Sequence, residues 1–254
     1  RRRPPGASAG WYGDPARGYA YEHHSFFDSL VAMGHRVQYF DFPTIAADRG
    51  RLRMNRHLDE VVRSERPDLL FAVTWGDLIE PAAIREISEN TDTVTCNWFC
   101  DDHWKFESFS HRWAPQFNYA ITTAACALPR YRRLAGVNVL KSQWACNERI
   151  YRPLDEPKRY DVSFVGLPHG RRREYVEALQ GAGIDVRVWG EGWGGGRVSQ
   201  DEMIRIFSAS RINLNFSESS TAGGESRCQK LTRRYVRGPL RRLPGGWRVT
   251  RAIW

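Results

Sequence analysis

Tyr160-Asp161-Val162-Ser163-Phe164-Val165-Gly166-Leu167-Pro168-His169-Gly170-Arg171-Arg172-Arg173 opens the stretch that decides the fold. Residues 161–165 form a β-branched and aromatic run ending at Gly166, the pattern of a buried strand. Residues 167–170 are turn chemistry, and residues 171–179 read as a helix closed by Gly181 and Gly183. A second strand follows over 184–190, then a Gly/Trp loop, another helix, and a strand over 211–216. Strand, glycine turn, helix, strand is one βαβ unit. The turn at its carboxyl edge is where such units bind phosphate, because helix N–H groups and the helix dipole converge there. Gly166, His169, Gly170 and Arg171 sit at that mouth. The alternative is that both glycines only make the turn and the arginines face water.

Upstream the same alternation repeats. Residues 25–33 place Phe26, Phe27, Leu30 and Val31 on one helical face, with Gly34 as the stop. Residues 36–40 read as a strand. A polar stretch then leads to a helix over 52–64, ended by Pro67, and to a buried strand over 69–73. Pro81 opens the next helix at a position where a missing N–H costs nothing. Strands are predicted over 93–99, 119–122 and 137–140, and helices over 106–113 and 124–134. Downstream, Ser199-Gln200-Asp201-Glu202 has capping-box spacing and predicts a helix start. Residues 143–159, with two prolines and many charges, break the rhythm as a linker.

The predicted class is therefore α/β, with two Rossmann-like doubly wound parallel-sheet domains. The first spans 11–142 and the second, incomplete, spans 160–225, between an atypical basic leader (1–10) and a basic tail (226–254). Their ligand site is expected in the crevice at the carboxyl ends of the strands.

At 254 residues and 41% hydrophobic content, the chain can bury a sizeable core. No apolar run approaches the roughly 20 residues that span a bilayer. Arg1-Arg2-Arg3-Pro4-Pro5 has no apolar segment behind it, so no signal peptide is expected there, and the cytoplasmic expectation rests on the cysteines, read as reduced thiols. The start lacks Met, as a fragment would. Cys96, Cys100, Cys126, Cys146 and Cys228 include no C-x-x-C pair and read as reduced thiols rather than zinc ligands. The net charge of +9 is local: nine of the 38 Lys and Arg lie between Ser226 and Trp254, where there is no acid. The remainder is balanced at 29 basic against 29 acidic residues. Nucleic-acid binding would rest on that tail alone, without a recognised module.

Five polar and aromatic loops fall at predicted carboxyl ends: residues 12–14, 75–77, 101–104, 169–171 and 190–193. Asp101, Asp102 and His103 offer a general base at the cleft. Equally, Asp101 or Asp102 caps the following helix and His103 lies at the surface. Two adjacent carboxylates with no third ligand in view make a weak metal clamp, and no metal site is assigned. Neighbours such as His23 and His24 point about 100° apart on a helix, so at most one of them faces a ligand. Trp193, in a glycine-rich loop after Gly190, either stacks on a base or sugar ring or covers the edge of the core.

Five segments carry a resemblance: Tyr12-Gly13-Asp14-Pro15-Ala16-Arg17-Gly18-Tyr19, Asn97-Trp98-Phe99-Cys100-Asp101-Asp102-His103-Trp104, Ser142-Gln143-Trp144-Ala145-Cys146-Asn147, Asp161-Val162-Ser163-Phe164-Val165-Gly166 and Ser210-Arg211-Ile212-Asn213-Leu214-Asn215. Together they resemble the CgeB-like, spore-maturation-type bacterial glycosyltransferases. The resemblance implies a GT-B architecture that transfers a sugar from a nucleotide-sugar donor, with no metal and no cofactor other than that donor. The amino-terminal domain would face the acceptor (a glycan, protein or small molecule) and the carboxyl-terminal domain would hold the donor. The diphosphate is then expected near Gly166, His169, Gly170 and Arg171, with Gly190 and Trp193 on the same side. The acceptor or base side is expected at Asp14, Asp77, Asp101, Asp102 and His103. A guanidinium beside a helix N-terminus would neutralise the departing diphosphate, and a carboxylate would deprotonate the acceptor hydroxyl. The rivals are a non-catalytic nucleotide- or sugar-binding protein of the same fold, and a nucleic-acid binder using the tail.

Two departures from that family's pattern stand out. The family opens with an apolar strand where this chain has residues 1–10, whose Pro4-Pro5 pair suits no central strand. After the Asn-Leu-Asn strand the family continues as Gln-x-Lys-x-Arg-x-Phe-Glu, its Glu expected on the donor ribose. Here Gln229-Lys230 leads into an acid-free, Arg-rich run. A shifted or fragmentary reading frame at both ends, and after about Ser226 in particular, is the expectation.

Overall fold

The computed structural model describes residues 19–74 and 76–216. Asp14, Trp75, the basic leader and the basic tail therefore lie outside the described residues. Two compact units are present, residues 19–145 and residues 146–216, each built on its own parallel sheet.

In the first unit a π-helical turn, His23–Phe27, runs into helix α1 (Asp28–Ala32). Helix α2 (Phe42–Arg49) occupies what the sequence presents as a polar stretch. Its signals are local: the Asp41 carboxylate accepts from the Thr44 N–H at 3.1 Å, and Pro43 lies in the first turn. Gly50, at φ 82°, then turns the chain directly into α3 (Arg51–Glu65). α3 buries Met54, Leu58 and Val62, spaced four apart on one stripe, and ends at Arg66 in the left-handed conformation before Pro67. There follow β1 (Leu69–Ala72), α4 (Pro81–Asn90), β2 (Val94–Phe99), α5 (Asp102–Lys105), a second π turn (Phe106–Ser110) and α6 (His111–Trp113). β3 (Tyr119–Thr122), α7 (Leu128–Tyr131) and β4 (Asn138–Lys141) complete the unit.

The sheet order is β1-β2-β3-β4, parallel throughout, in register from Leu69 against Val94 to Tyr119 against Asn138. β2 is buried from Thr95 to Phe99, as a strand covered on both faces must be. On one face Phe99 packs with Ile84 and Ile87 of α4 and with Phe106, Trp113 and Tyr131, in one core with the α3 stripe, and on the other Trp98 meets the rings of Phe26 and Trp144.

Three expectations need correction. Residues 36–40 form no strand, because among the described residues β1 pairs only with β2 and offers them no ladder. For the same reason β1 is only partly buried rather than a core strand. The helix predicted over 124–134 shrinks to a 3-10 turn, Ala125–Ala127, and the four residues of α7.

The second unit carries β5 (Tyr160–Val165), α8 (Arg172–Gly181), β6 (Val186–Trp189), α9 (Gln200–Ala209) and β7 (Ser210–Asn213). Its sheet order is β6-β5-β7, again parallel. The Ser199 hydroxyl caps α9 by accepting from the Glu202 N–H. Val162, Phe164, Val176, Val186 and Trp193 form the core. Residues 154–159 lie against the end of α9: Leu154 N–H donates to Ser208 Oγ at 3.0 Å and Arg159 N–H to the Ala209 carbonyl at 2.8 Å. The chain is thus α/β, with two Rossmann-like parallel-sheet units, as the βαβ pattern predicts. No helix among the described residues is long and apolar enough to cross a membrane.

Candidate functional site

Parallel strands present all their carboxyl ends at one sheet edge, so the loops after neighbouring strands become neighbours. The predicted loops are brought together in this way as two pairs, one in each unit. Asp77 and residues 101–104 follow β1 and β2. Residues 169–171 and 190–193 follow β5 and β6.

In the second unit the ladder extends past the strands, the Gly166 N–H donating to the Trp189 carbonyl at 2.9 Å. Gly190, at φ 133°, lies so close that a Cβ on it would fall 2.2 Å from the Gly166 carbonyl oxygen. Only glycine permits that approach. The same carbonyl accepts the Trp193 indole N–H at 2.8 Å. Arg173 donates to the Gly192 carbonyl at 2.9 Å and lies over the Trp193 ring, 4.6 Å from its centroid. Trp193 is 9% exposed and belongs to the core. Of the two roles open to it, covering the core edge is the one the structure displays.

His169, Gly170 and Arg171 are exposed on the turn between β5 and α8. Gly170, at φ 56°, bends the chain into the helix, and the Arg172 N–H folds back onto the His169 carbonyl. The following first-turn N–H groups, of Arg173 and Glu174, have no acceptor within an α-helix. Among the described residues no side chain caps this helix. The Arg171 side chain is 54% exposed, its Nε held by Glu174 Oε2 at 2.7 Å. A positive helix end, three consecutive guanidinium-bearing residues and a glycine turn suit an anionic group of the phosphate class.

In the first unit the two candidate carboxylates have opposite environments. Asp101 occupies the N-cap position of α5 and is partly exposed; its side chain makes no capping bond, while its carbonyl accepts from Trp104 and Lys105. Asp102 is fully buried, and the Tyr131 hydroxyl donates to its Oδ2 at 2.8 Å. Burial raises the Asp102 pKa, the nearby hydroxyls of Ser110, Thr122 and Tyr131 oppose that shift, and Asp101 adds to it; Oδ1 is buried without a hydrogen-bond partner among the described residues. His103 is half-buried and Asp77 exposed.

The sequence does not single out the residues that order this edge. The Thr74 N–H and hydroxyl both donate to Asn97 Oδ1, at 3.0 and 2.9 Å, which ties the end of β1 to β2. An asparagine inside the otherwise apolar end of β2 was the available signal. Asn97 Nδ2 and His103 Nε2 are buried without a hydrogen-bond partner among the described residues. Burial pushes the Cys96 thiol up to about 11 and, with Glu22, Asp101 and Asp102 nearby, the Cys100 thiol up to about 12. Cys96, Cys100 and Cys146 are free, whereas Cys126 is disulfide-bonded, which corrects the expectation of reduced thiols throughout. A cavity of about 320 Å³ lies at the opposite edge, where Val94, Tyr119 and Asn138 begin their strands.

Against known proteins, residues 171–235 match a family model described as glycosyl transferase-like. The matched stretch starts at Arg171, the residue that introduces α8, and runs past Ser226. A search of the curated proteins finds no match. The family match supports a role in glycosyl transfer, and with it a sugar donor and an acceptor.

Proposed function

We propose that this chain is a metal-independent hexosyltransferase of the CgeB-like bacterial type, acting in the cytoplasm on a nucleotide-sugar donor. The observation that carries the reading is the glycosyl transferase-like match beginning at Arg171, on a glycine turn leading into an uncapped helix N-terminus. The donor diphosphate lies against Gly166, His169, Gly170 and Arg171. Backbone N–H groups of the first turn of α8 hold its oxygens, and Arg171 offsets the charge that develops as the nucleoside diphosphate leaves. Gly190 and Trp193 act on the donor through the loop, by fixing the Gly166 carbonyl.

The amino-terminal unit takes the acceptor. Asp77, Asp101 and His103 reach solvent at the edge that follows β1 and β2, so the base that removes the acceptor proton is drawn from them, with Asp14 as a further candidate. Asp102 positions α5 rather than touching substrate. The buried Asn97 Nδ2 and His103 Nε2 are polar atoms that a bound acceptor would satisfy.

A binding panel of nucleotides and nucleotide sugars on the full chain, with Arg171→Ala alongside, tests the donor site. Saturable binding of one nucleotide class, lost in the variant, is expected; no binding by a folded protein overturns the reading. Release of nucleotide from the bound donor separates a transferase from a binding protein, and its loss in Asp101→Asn or His103→Ala identifies the base.

A further inference from the structure

The geometry points to a binding site for a divalent transition-metal ion of the zinc class, formed by His23 Nδ1, His24 Nδ1 and the carboxylate of Asp28. These three ligand atoms lie within 4.8 Å of one another. The correction to sequence reasoning comes from the π turn. Adjacent histidines on an α-helix diverge, yet here both address one carboxylate. The backbone N–H of Asp28 donates to the His23 carbonyl, five residues back, which brings Asp28 over His23. Asp28 is also four residues after His24, the ordinary α-helical neighbour spacing. The result is His24 Nδ1 at 2.9 Å from Asp28 Oδ2 and His23 Nδ1 at 3.7 Å from Asp28 Oδ1.

Those separations bracket the edge of a zinc tetrahedron: bonds of about 2.0–2.1 Å place two ligand atoms about 3.3 Å apart. The second observation is an orphan. The His23 side chain is 10% exposed, and its Nδ1 is buried without a hydrogen-bond partner among the described residues although it faces the cluster. An unpaired buried imidazole nitrogen costs free energy that a metal–nitrogen bond would recover. The ring is also held in place, stacked on Tyr19 at 4.0 Å between centroids and flanked by Phe27 and Tyr39. His24 is 17% exposed and Asp28 36%, so the cluster has a route to solvent and room for a water as fourth ligand. Two imidazoles and one carboxylate suit zinc, nickel, cobalt or ferrous iron rather than magnesium or calcium. None of these residues enters the glycosyl-transfer reading, so either can fail alone.

The test is a titration of the chelator-treated full chain with Co²⁺, followed by visible absorption and displacement by Zn²⁺. One equivalent, with nitrogen and oxygen ligand bands, is expected. His24→Ala and Asp28→Asn should each weaken binding at least about tenfold, because loss of an outer-shell partner alone costs 10–100-fold. His57→Ala, on an exposed helix face, should leave it unchanged, and far-UV circular dichroism should show all three variants folded. Absence of saturable one-equivalent binding by the parent chain overturns the proposal. So does an intense thiolate charge-transfer band, or affinity unchanged in both His24→Ala and Asp28→Asn.

Discussion

The hydroxyl of Tyr131, at the end of α7, donates at 2.8 Å to the carboxylate of Asp102, at the start of α5, and neither residue is exposed. This bond joins two short helices that could not hold their positions by themselves, since four-residue helices have almost no intrinsic stability. Tyr131→Phe should therefore cost about 1–3 kcal/mol, as it leaves a buried carboxylate short of a donor. Urea denaturation measures this, with Tyr119→Phe at an exposed position as the control.

Asp102 also gives a pH dependence with a defined sign. Its folded pKa is raised, chiefly by burial, so the folded state holds the proton more tightly than the unfolded chain. Its contribution to stability is fully present below the ordinary carboxylate range and is lost as pH rises through the raised value. Asp102→Asn should remove that component, and the difference between parent and variant in denaturation midpoints, followed against pH, should show it.

Gly190→Ala should be severely destabilising to the second unit, by about 3 kcal/mol or more, since the Cβ meets the Gly166 carbonyl at 2.2 Å on a backbone at φ 133°. Gly194→Ala, where nothing lies within 4 Å, should be nearly silent. Hydrogen exchange along β5 and β6 distinguishes the two.

Arg171→Ala should change stability by no more than about 0.5 kcal/mol, because its partner Glu174 is as exposed as it is. Its effect should appear in nucleotide binding instead. A loss of binding without a loss of folding is the outcome that assigns Arg171 to the donor.

Cys96 and Cys100 should resist alkylation in the folded chain at neutral pH, their thiols being pushed up to about 11 and about 12. Peptide mapping after iodoacetamide treatment, with and without denaturant, reads this directly.

What the sequence disclosed, and what it withheld, follows from how far each signal reaches. The βαβ element around Gly166 and the capping serine of α9 were legible because turn glycines and N-caps act within four residues. The parallel sense of both sheets is legible because strands that alternate with helices join by crossovers, whereas the order is not, β7 pairing with β5 rather than with β6. Residues 36–40 have the alternation of a strand but form none, because a strand needs a partner that alternation of side chains cannot supply. α2 is announced only by Asp41 and Pro43, since its eight residues hold a single apolar repeat, Phe42, Ile45 and Ala46, too short to show periodicity. Asp101 and Asp102 look alike in sequence; their separation into an edge carboxylate and a buried one depends on Tyr131, 29 residues away, and on Thr122. The divergence expected of His23 and His24 holds for α-helical spacing, which the π turn does not follow.

Both π turns, His23–Phe27 and Phe106–Ser110, adjoin a titratable cluster, the second supplying Ser110 to Asp102. Each amounts to one residue more than a continuous α-helix would hold, and so rotates the chain before it by about 100° relative to the chain after it. Length is then the sensitive variable here, more than identity. Excising Ser25 would keep Asp28 on the same face as both imidazoles, four residues after His23 and three after His24, yet turn the chain ahead of them by about 100° against α1, whereas many substitutions on the outer face would leave it where it is.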